Sequence, residues 1–273
     1  MPRISVVPAF ALVCLVASAC AGEKQDVPAW PEPKLLHEFY PQKRRCVGGL
    51  RISPDGRTLC AGTIIESSSP FARSCLQVID LNTFENRFGT LRSMSDITSI
   101  NLSPDNRLIV VDAEHQVVNA ESGSTVCKLE GGAGEPSFIS NDQIAGITEK
   151  GILVFDSKSG RLRKHVLQEH DYQHLSVSPN MEHLAALART DRHTAELHVI
   201  STRTFEVERR DRAPDGDRLA WSGDSELLFV GGDPPETKSC IYAIADGRTC
   251  EPILFTLPSR RGGRRSVVNL LCV

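Results

Sequence analysis

The chain has 273 residues, a formal net charge of −3 and 24% charged residues, so its charge does not indicate a nucleic-acid-binding protein. Apolar residues make up 40% of the sequence, which is typical of a globular domain and excludes a protein with many membrane spans. The 16 prolines and 20 glycines are frequent enough to separate many short elements.

The N-terminal residues predict an export signal. Residues 1–19 carry Arg3 near the start, and an apolar run follows over 4–16. This run is too short to span a bilayer comfortably, but it has the length of a signal-peptide core. Residues 20–35 are mostly polar and rich in proline, as expected of a flexible tether.

The residue after the predicted cleavage site is Cys20, and "VASAC" resembles the lipidation site of a bacterial lipoprotein. The resemblance implies a lipid on Cys20 and attachment to a membrane through it. Ala17 occupies the place where such sites usually have Leu, and Ala17 with Ala19 also forms an Ala-x-Ala cleavage site. Plain secretion and a retained anchor therefore stay as alternatives to a lipid-anchored envelope protein.

An exported protein meets an oxidising environment, so its cysteines are candidates for disulfides. Cys60 and Cys75 flank a long loop and are expected to lie opposite each other on neighbouring strands, which predicts a disulfide between them. The sequence has no Cys-x-x-Cys pair, so no cysteine-bound metal is expected.

A repeat dominates the rest of the chain. An apolar run, a turn and a second apolar run recur five times, and the aligned serines are 37 to 50 residues apart. The aligned serines are Ser53, Ser103, Ser140, Ser178 and Ser222. In "SPDG" the proline presets the turn and the glycine supplies a positive φ, which predicts a tight hairpin.

A second hairpin pattern lies between these copies, with glycines 123, 160 and 247 in its turns. It covers residues 76–88, 115–129, 151–167, 196–210 and 240–254. Each repeat therefore predicts four antiparallel strands, and a single four-stranded sheet cannot bury both of its faces.

The motifs "SPDGR", "VIDLNT" and "VFDSKSG" resemble those of WD-repeat and YVTN-type β-propellers. The resemblance implies an all-β propeller over residues 36–257, with about five four-stranded blades whose first strands line the axis. The family's Trp-Asp pair is replaced, for example by Ile79-Asp80. Residues 34–39 and a strand in the tail 258–273 are candidate halves of a partial sixth blade.

The loop over residues 65–75 makes the first repeat longer than the second and third. Loops on a rigid scaffold often carry function, so Glu66, Phe71 and Arg73 are candidate contacts of a recognition lip. A tolerated surface insertion is the alternative interpretation.

Two further loops carry candidate binding residues. "EHDYQH" places His170, Asp171 and His174 close together, and His193 lies in a similar loop. Imidazole and carboxylate together are metal ligands, but the sequence offers no further ligand nearby. His170, Asp171 and His193 are therefore candidate contacts, and no metal or other cofactor is predicted.

The sequence contains no nucleophile elbow, zinc-protease helix or phosphate-binding loop, so no catalytic residue is predicted. The leading hypothesis is a non-enzymatic platform for a protein or peptide in the cell envelope, with a small molecule as a further option. Nucleic acid is not expected, despite the basic stretch 260–265, because the protein is predicted to be exported. The alternative is an enzyme, since some YVTN-type relatives resemble sugar-lactone hydrolases with a central pocket. That alternative requires a pair of acid–base groups on the inner strands, which offer Arg51, Asn101, His174 and Arg218 but no such pair in the sequence.

Overall fold

The computed structural model describes most of the repeat region of the chain. It describes residues 45–65, 74–88, 91–93, 95–190, 194–214, 218–231 and 240–244. The predicted signal peptide, tether and C-terminal tail lie outside these residues, as do both candidate halves of a partial sixth blade.

Nineteen strands and one 3-10 turn, Ala113–His115, lie in the described residues. The strands are β1 (Arg45–Ile52), β2 (Thr58–Ile65), β3 (Ser74–Asp80), β4 (Leu91–Ser93), β5 (Ile100–Leu102), β6 (Leu108–Val111), β7 (Gln116–Asn119), β8 (Thr125–Lys128), β9 (Gly134–Ser140), β10 (Gln143–Thr148), β11 (Gly151–Asp156), β12 (Leu162–Val166), β13 (Tyr172–Val177), β14 (His183–Arg189), β15 (Thr194–Ser201), β16 (Val207–Pro214), β17 (Arg218–Trp221), β18 (Leu227–Gly231) and β19 (Cys240–Ala243).

These strands form five antiparallel sheets, each of which follows the chain from one strand to the next. We call the sheets blades 1 to 5; blades 1 to 4 have four strands, and blade 5 has β17 to β19 within the described residues. The first strands of consecutive blades contact one another, from β1 through β5, β9 and β13 to β17. The protein is thus a five-bladed β-propeller whose first strands are innermost, and the predicted fold is confirmed.

The first hairpin of a blade is closed by its serine. In blade 1, the Ser53 hydroxyl donates to Asp55 (2.5 Å) and accepts from the Thr58 main-chain N–H (2.9 Å). The residue after the aspartate has a positive φ, which is 70° at Gly56. Blades 2, 4 and 5 repeat this turn with Asn106, Met181 and Ser225 at the positive-φ position.

The second hairpin is closed by a residue that caps its own turn. In blade 3, an Asp156 carboxylate oxygen accepts from the N–H groups of Lys158 (3.0 Å) and Ser159 (2.8 Å), a local bond typical of aspartate in turns. Asp80, Asn119 and Ser201 accept equivalent bonds in blades 1, 2 and 4.

One main-chain bond then joins the two hairpins of every blade. In blade 1, Leu81 N–H donates to the Arg57 carbonyl (2.8 Å). The equivalent pairs in blades 2 to 5 are Ala120 with Arg107, Ser157 with Asp142, Thr202 with Glu182, and Ile244 with Glu226. In blades 1 to 4, whose second hairpin turns are described, both hairpin turns therefore lie on the same side of the propeller.

The hydrophobic core lies between the blades. Alternate residues of a strand point to opposite faces, so each second strand serves two interfaces. In β14, Ala186 packs in the core shared with blade 3, whereas Leu187 packs in the core shared with blade 5. Four such clusters separate the five blades.

The structure corrects the predicted disulfide. In the pairing of β2 with β3, Cys60 lies opposite Val78 and Cys75 lies opposite Thr63. This offset of three residues corresponds to about 10 Å along a strand and turns the two side chains to opposite faces of the sheet. A disulfide requires Cα atoms within about 7 Å, and none joins Cys60 to Cys75.

Candidate functional site

The most distinctive polar group in the described residues lies in blade 4. It consists of His170, Tyr172, Glu196 and His198, and we call it the imidazole cluster. His170 precedes β13, Tyr172 begins that strand, and Glu196 and His198 lie two residues apart on β15. This spacing places Glu196 and His198 on one face of the sheet.

The middle strand leaves room for this cluster. β14 separates β13 from β15, and its residues between the two strands are small: Ala188 lies opposite both Tyr172 and Glu196, and Ala186 lies opposite His198. The Tyr172 ring can therefore extend over β14 to the imidazole. The Tyr172 hydroxyl and His198 Nδ1 are 2.8 Å apart.

The hydrogen bonds of His198 assign its tautomer. Its Nε2 is 2.7 Å from a Glu196 carboxylate oxygen, which can only accept, so Nε2 carries the proton. In the neutral ring Nδ1 is then an acceptor, and the Tyr172 hydroxyl donates to it. The His198 side chain is 0% exposed, whereas that of Glu196 is 34% exposed.

Burial and these bonds determine the charge states in the cluster. Burial lowers the pKa of His198 and outweighs the opposing effect of its bond to Glu196. The bond to His198 lowers the pKa of the Glu196 carboxyl. Burial raises the pKa of the Tyr172 phenol well above its usual range, so Tyr172 stays protonated and is not an activated nucleophile.

His170 completes the cluster from the loop before β13. Its ring lies edge-on to the ring of His198, with centroids 4.7 Å apart, and 5.7 Å from that of Tyr172. The loop that was predicted to carry binding residues is thus attached to a buried network.

Next to the cluster, a chain of polar side chains reaches the surface. The Gln173 amide donates to the Asp171 carboxylate (2.7 Å) and accepts from the Arg189 guanidinium (3.1 Å). The main-chain N–H of Arg189 also donates to the main-chain carbonyl of Asp171 (2.9 Å). This patch, formed by Asp171, Gln173 and Arg189, joins the loop before β13 to the end of β14, on the side of the propeller opposite the hairpin turns.

A second imidazole–carboxylate pair lies on the inner strands. His174 Nδ1 is 2.8 Å from Glu135 of blade 3, and the other Glu135 oxygen accepts from Leu175 N–H (2.8 Å). The His174 side chain is 23% exposed. With Nδ1 engaged by a carboxylate, Nε2 is the nitrogen available to accept a proton.

Similar single bonds tie other pairs of inner strands together. The Asn101 amide donates to the Pro136 carbonyl (3.0 Å), and the Trp221 indole donates to the Ser176 carbonyl (3.1 Å). The inner strands of blades 2 to 5 are thus held in register although they belong to different sheets.

The structure brings together only part of the predicted site. His170 and Asp171 lie next to each other, but they serve the buried cluster and the surface patch respectively. Glu66, Phe71, Arg73 and His193 lie outside the described residues, as does Cys20. The sequence interpretation missed Tyr172, Glu196 and His198. The signal available was the stretch "AELHVI", where two polar residues alternate within an otherwise apolar strand.

The described residues contain no group of three or more histidine, cysteine, aspartate or glutamate side chains arranged to hold a metal ion. Among the same residues, none of the helices has the length and apolar character needed to cross a membrane.

No protein-family model and no curated protein matches the sequence. Solved structures match the fold at low identity. The β-propeller domain of Cps50 (Swd1) from Myceliophteria thermophila has a TM-score of 0.57 and 16% identity, over 76% of this chain and 70% of that one. Hydrazine synthase from Kuenenia stuttgartiensis has a TM-score of 0.56 and 14% identity, over 81% and 70% of the two chains. The Dos1 propeller has a TM-score of 0.53 and 13% identity, over 79% of this chain and 59% of that one. Identities this low show a shared WD-like propeller fold and no more.

Proposed function

We propose that the protein is a non-enzymatic binding platform of the cell envelope, and that it presents the side opposite its hairpin turns to a protein or peptide. The surface patch of Asp171, Gln173 and Arg189 carries this proposal. Its three polar side chains are oriented by one another: Gln173 and Arg189 lie on strands, Asp171 lies immediately before β13, and Arg189 is exposed. Such preorganised groups lose little freedom when a partner binds.

The partner proposed for this patch is a polar segment with both donors and acceptors, because the patch offers a carboxylate, an amide and a guanidinium. Arginine is also enriched among the residues that dominate binding energies at protein interfaces. The Swd1 and Dos1 propellers share the fold and support a platform role only at the level of architecture.

Site-specific photo-crosslinking tests the platform proposal. A photoreactive residue at position 190, next to Arg189, leaves the patch itself intact and should give a discrete adduct in intact cells, whereas one at position 161 should not. Position 161 is the control because it is also exposed and lies in the second hairpin turn of blade 3, on the other side of the propeller. Equal adducts at both positions, or none at 190, would contradict the proposal.

The proposed location rests on the N-terminal sequence alone. Export followed by lipidation of Cys20 would anchor the propeller through the tether, and cleavage after Ala19 without lipid would release it. The mass of the mature N-terminus distinguishes these outcomes, and Cys20→Ser should abolish any lipid-dependent membrane association.

A second candidate function is hydrolysis, for example of a lactone, and one observation favours it. In the structure Glu135 pairs with His174 and gives an inner-strand acid–base pair of the kind that this alternative requires; because the carboxylate engages Nδ1, Nε2 is the nitrogen that can act as a base. Turnover of a lactone panel that is lost in both His174→Ala and Glu135→Gln would support it. Absence of turnover in the wild-type protein would contradict hydrolysis of these substrates, and the pair would then serve only to connect blades 3 and 4.

A further inference from the structure

When His198 is neutral, both of its ring nitrogens and the hydroxyl hydrogen of Tyr172 are engaged in hydrogen bonds. The Tyr172 hydroxyl donates to Nδ1, and Nε2 donates to Glu196. The network thereby links β13 to β15 across β14, and His170 attaches the preceding loop through ring contacts.

A proton on His198 would upset this arrangement. Both ring nitrogens of an imidazolium are donors, so the Tyr172 oxygen would have to accept from Nδ1. The Tyr172 hydrogen would then lack its acceptor in a residue that is 2% exposed. A buried donor left without a partner typically costs about 1–3 kcal/mol.

The groups around His198 offer little compensation for a new positive charge. Glu196 on β15 is the acidic neighbour, while Arg210 lies opposite His198 on β16 and carries a positive charge. His170, from the loop before β13, becomes a second cation nearby if it is protonated. On the remaining sides, β14 contributes Ala186 and Ala188, and the adjoining core of blade 3 is aliphatic, with Ile147 and Ile152.

We infer that blade 4 contains an acid-sensitive latch, in which protonation of the buried His198 disrupts its bond with Tyr172 and loosens β13 and the loop before it. The latch is closed at neutral pH and opens under mild acid. It adds a regulatory property to the fold, and it does not depend on the platform proposal.

Hydrogen–deuterium exchange on the full-length protein tests the latch. After correction for intrinsic rates, residues 166–174 of the wild type should lose protection as the pH falls from about 7.5 to below 6.5, the ordinary pKa of histidine, because burial lowers the pKa of His198. In His198→Gln, whose amide has both an NH2 group that donates and an oxygen that accepts but cannot titrate, protection should not change over this range. His165→Gln is the matched control, because His165 is exposed and its removal should leave the wild-type loss intact.

A histidine NMR titration of the wild type provides a measurement that does not require the variant to fold. The His198 signal should titrate below the ordinary range, in step with the loss of protection in residues 166–174. The latch is refuted if His198 titrates without any change in exchange, if the wild type keeps full protection, or if His198→Gln loses protection as the wild type does.

Discussion

Tyr172 and His198 are 26 residues apart in the sequence, yet their side chains are hydrogen-bonded at 2.8 Å across an intervening strand. The bond depends on the two alanines of β14 beneath it, and it ties the innermost strand of blade 4 to its third strand. The stability of blade 4 should therefore respond both to the loss of this bond and to pH.

Removal of the Tyr172 hydroxyl should destabilise the protein. In Tyr172→Phe the buried Nδ1 of His198 loses its donor, so we expect a loss of about 1–3 kcal/mol in urea unfolding. Tyr242→Phe is the matched control, because Tyr242 is also buried and its hydroxyl donates to the Arg212 carbonyl. Both variants should be destabilised, but only Tyr172→Phe should alter the NMR titration of His198.

The stability of the protein should fall in two acid steps. His198 has an ordinary pKa of 6.5 that is lowered in the fold, so the unfolded state takes up its proton first and stability declines as the pH falls below about 6.5. Glu196 has an ordinary pKa of 4.5, also lowered in the fold. The contribution of Glu196 to the free energy of unfolding is present above pH 4.5 and is lost as the pH falls through the lowered pKa.

Glu196→Gln should separate these two steps. The amide oxygen can still accept from His198 Nε2, so stability near neutral pH should change little. The decline in stability below about pH 6.5 should become steeper, because the His198 imidazolium loses its acidic neighbour. The further loss of stability that comes from protonation of Glu196 at lower pH should disappear. Melting temperatures measured over a pH series check this prediction, and a decline shallower than that of the wild type would contradict it.

The turn of the second hairpin in blade 3 should tolerate asparagine better than alanine at position 156. Asn119 accepts the same main-chain bonds in blade 2, so Asp156→Asn should keep the turn and lose only the ion pair with Arg163. Asp156→Ala loses both, and we expect it to be about 1 kcal/mol less stable than the asparagine variant in urea unfolding. Equal stability of the two variants would show that the capping bonds contribute little.

Two glycines with similar backbone angles should differ in their response to alanine. Gly56 has φ 70° and no atom within 4 Å of an added Cβ, so Gly56→Ala should cost only about 1–2 kcal/mol for the left-handed conformation. Gly160 has φ 73°, and an added Cβ would overlap the Lys128 carbonyl oxygen. Gly160→Ala should therefore be clearly the more destabilising of the two in the same unfolding measurement.

The sequence was sufficient to predict the blades because the hydrogen bonds that form their turns join residues close together in the chain. Ser53 and Asp55 form their bonds within a few residues, and such bonds leave a recognisable motif. Blade 3 departs from the motif, since its turn is two residues shorter and Ser140 pairs directly with Gln143.

The candidate site was harder to predict because it depends on strand register. The expected Cys60–Cys75 bridge assumed that the ends of a loop face each other, and an offset of three residues was enough to separate them. The contact between Tyr172 and His198 depends in addition on the small size of Ala186 and Ala188, which no local motif records.

The bond between the two hairpins of each blade involves main-chain atoms alone. The bond therefore sets no requirement on the side chain of Leu81, Ala120, Ser157, Thr202 or Ile244, although packing restricts the size of the residue at the buried positions 120 and 157. Proline is the exception, because it has no N–H to donate. Repeats built in this way can diverge in sequence until few identities remain, while each copy continues to fold into the same blade.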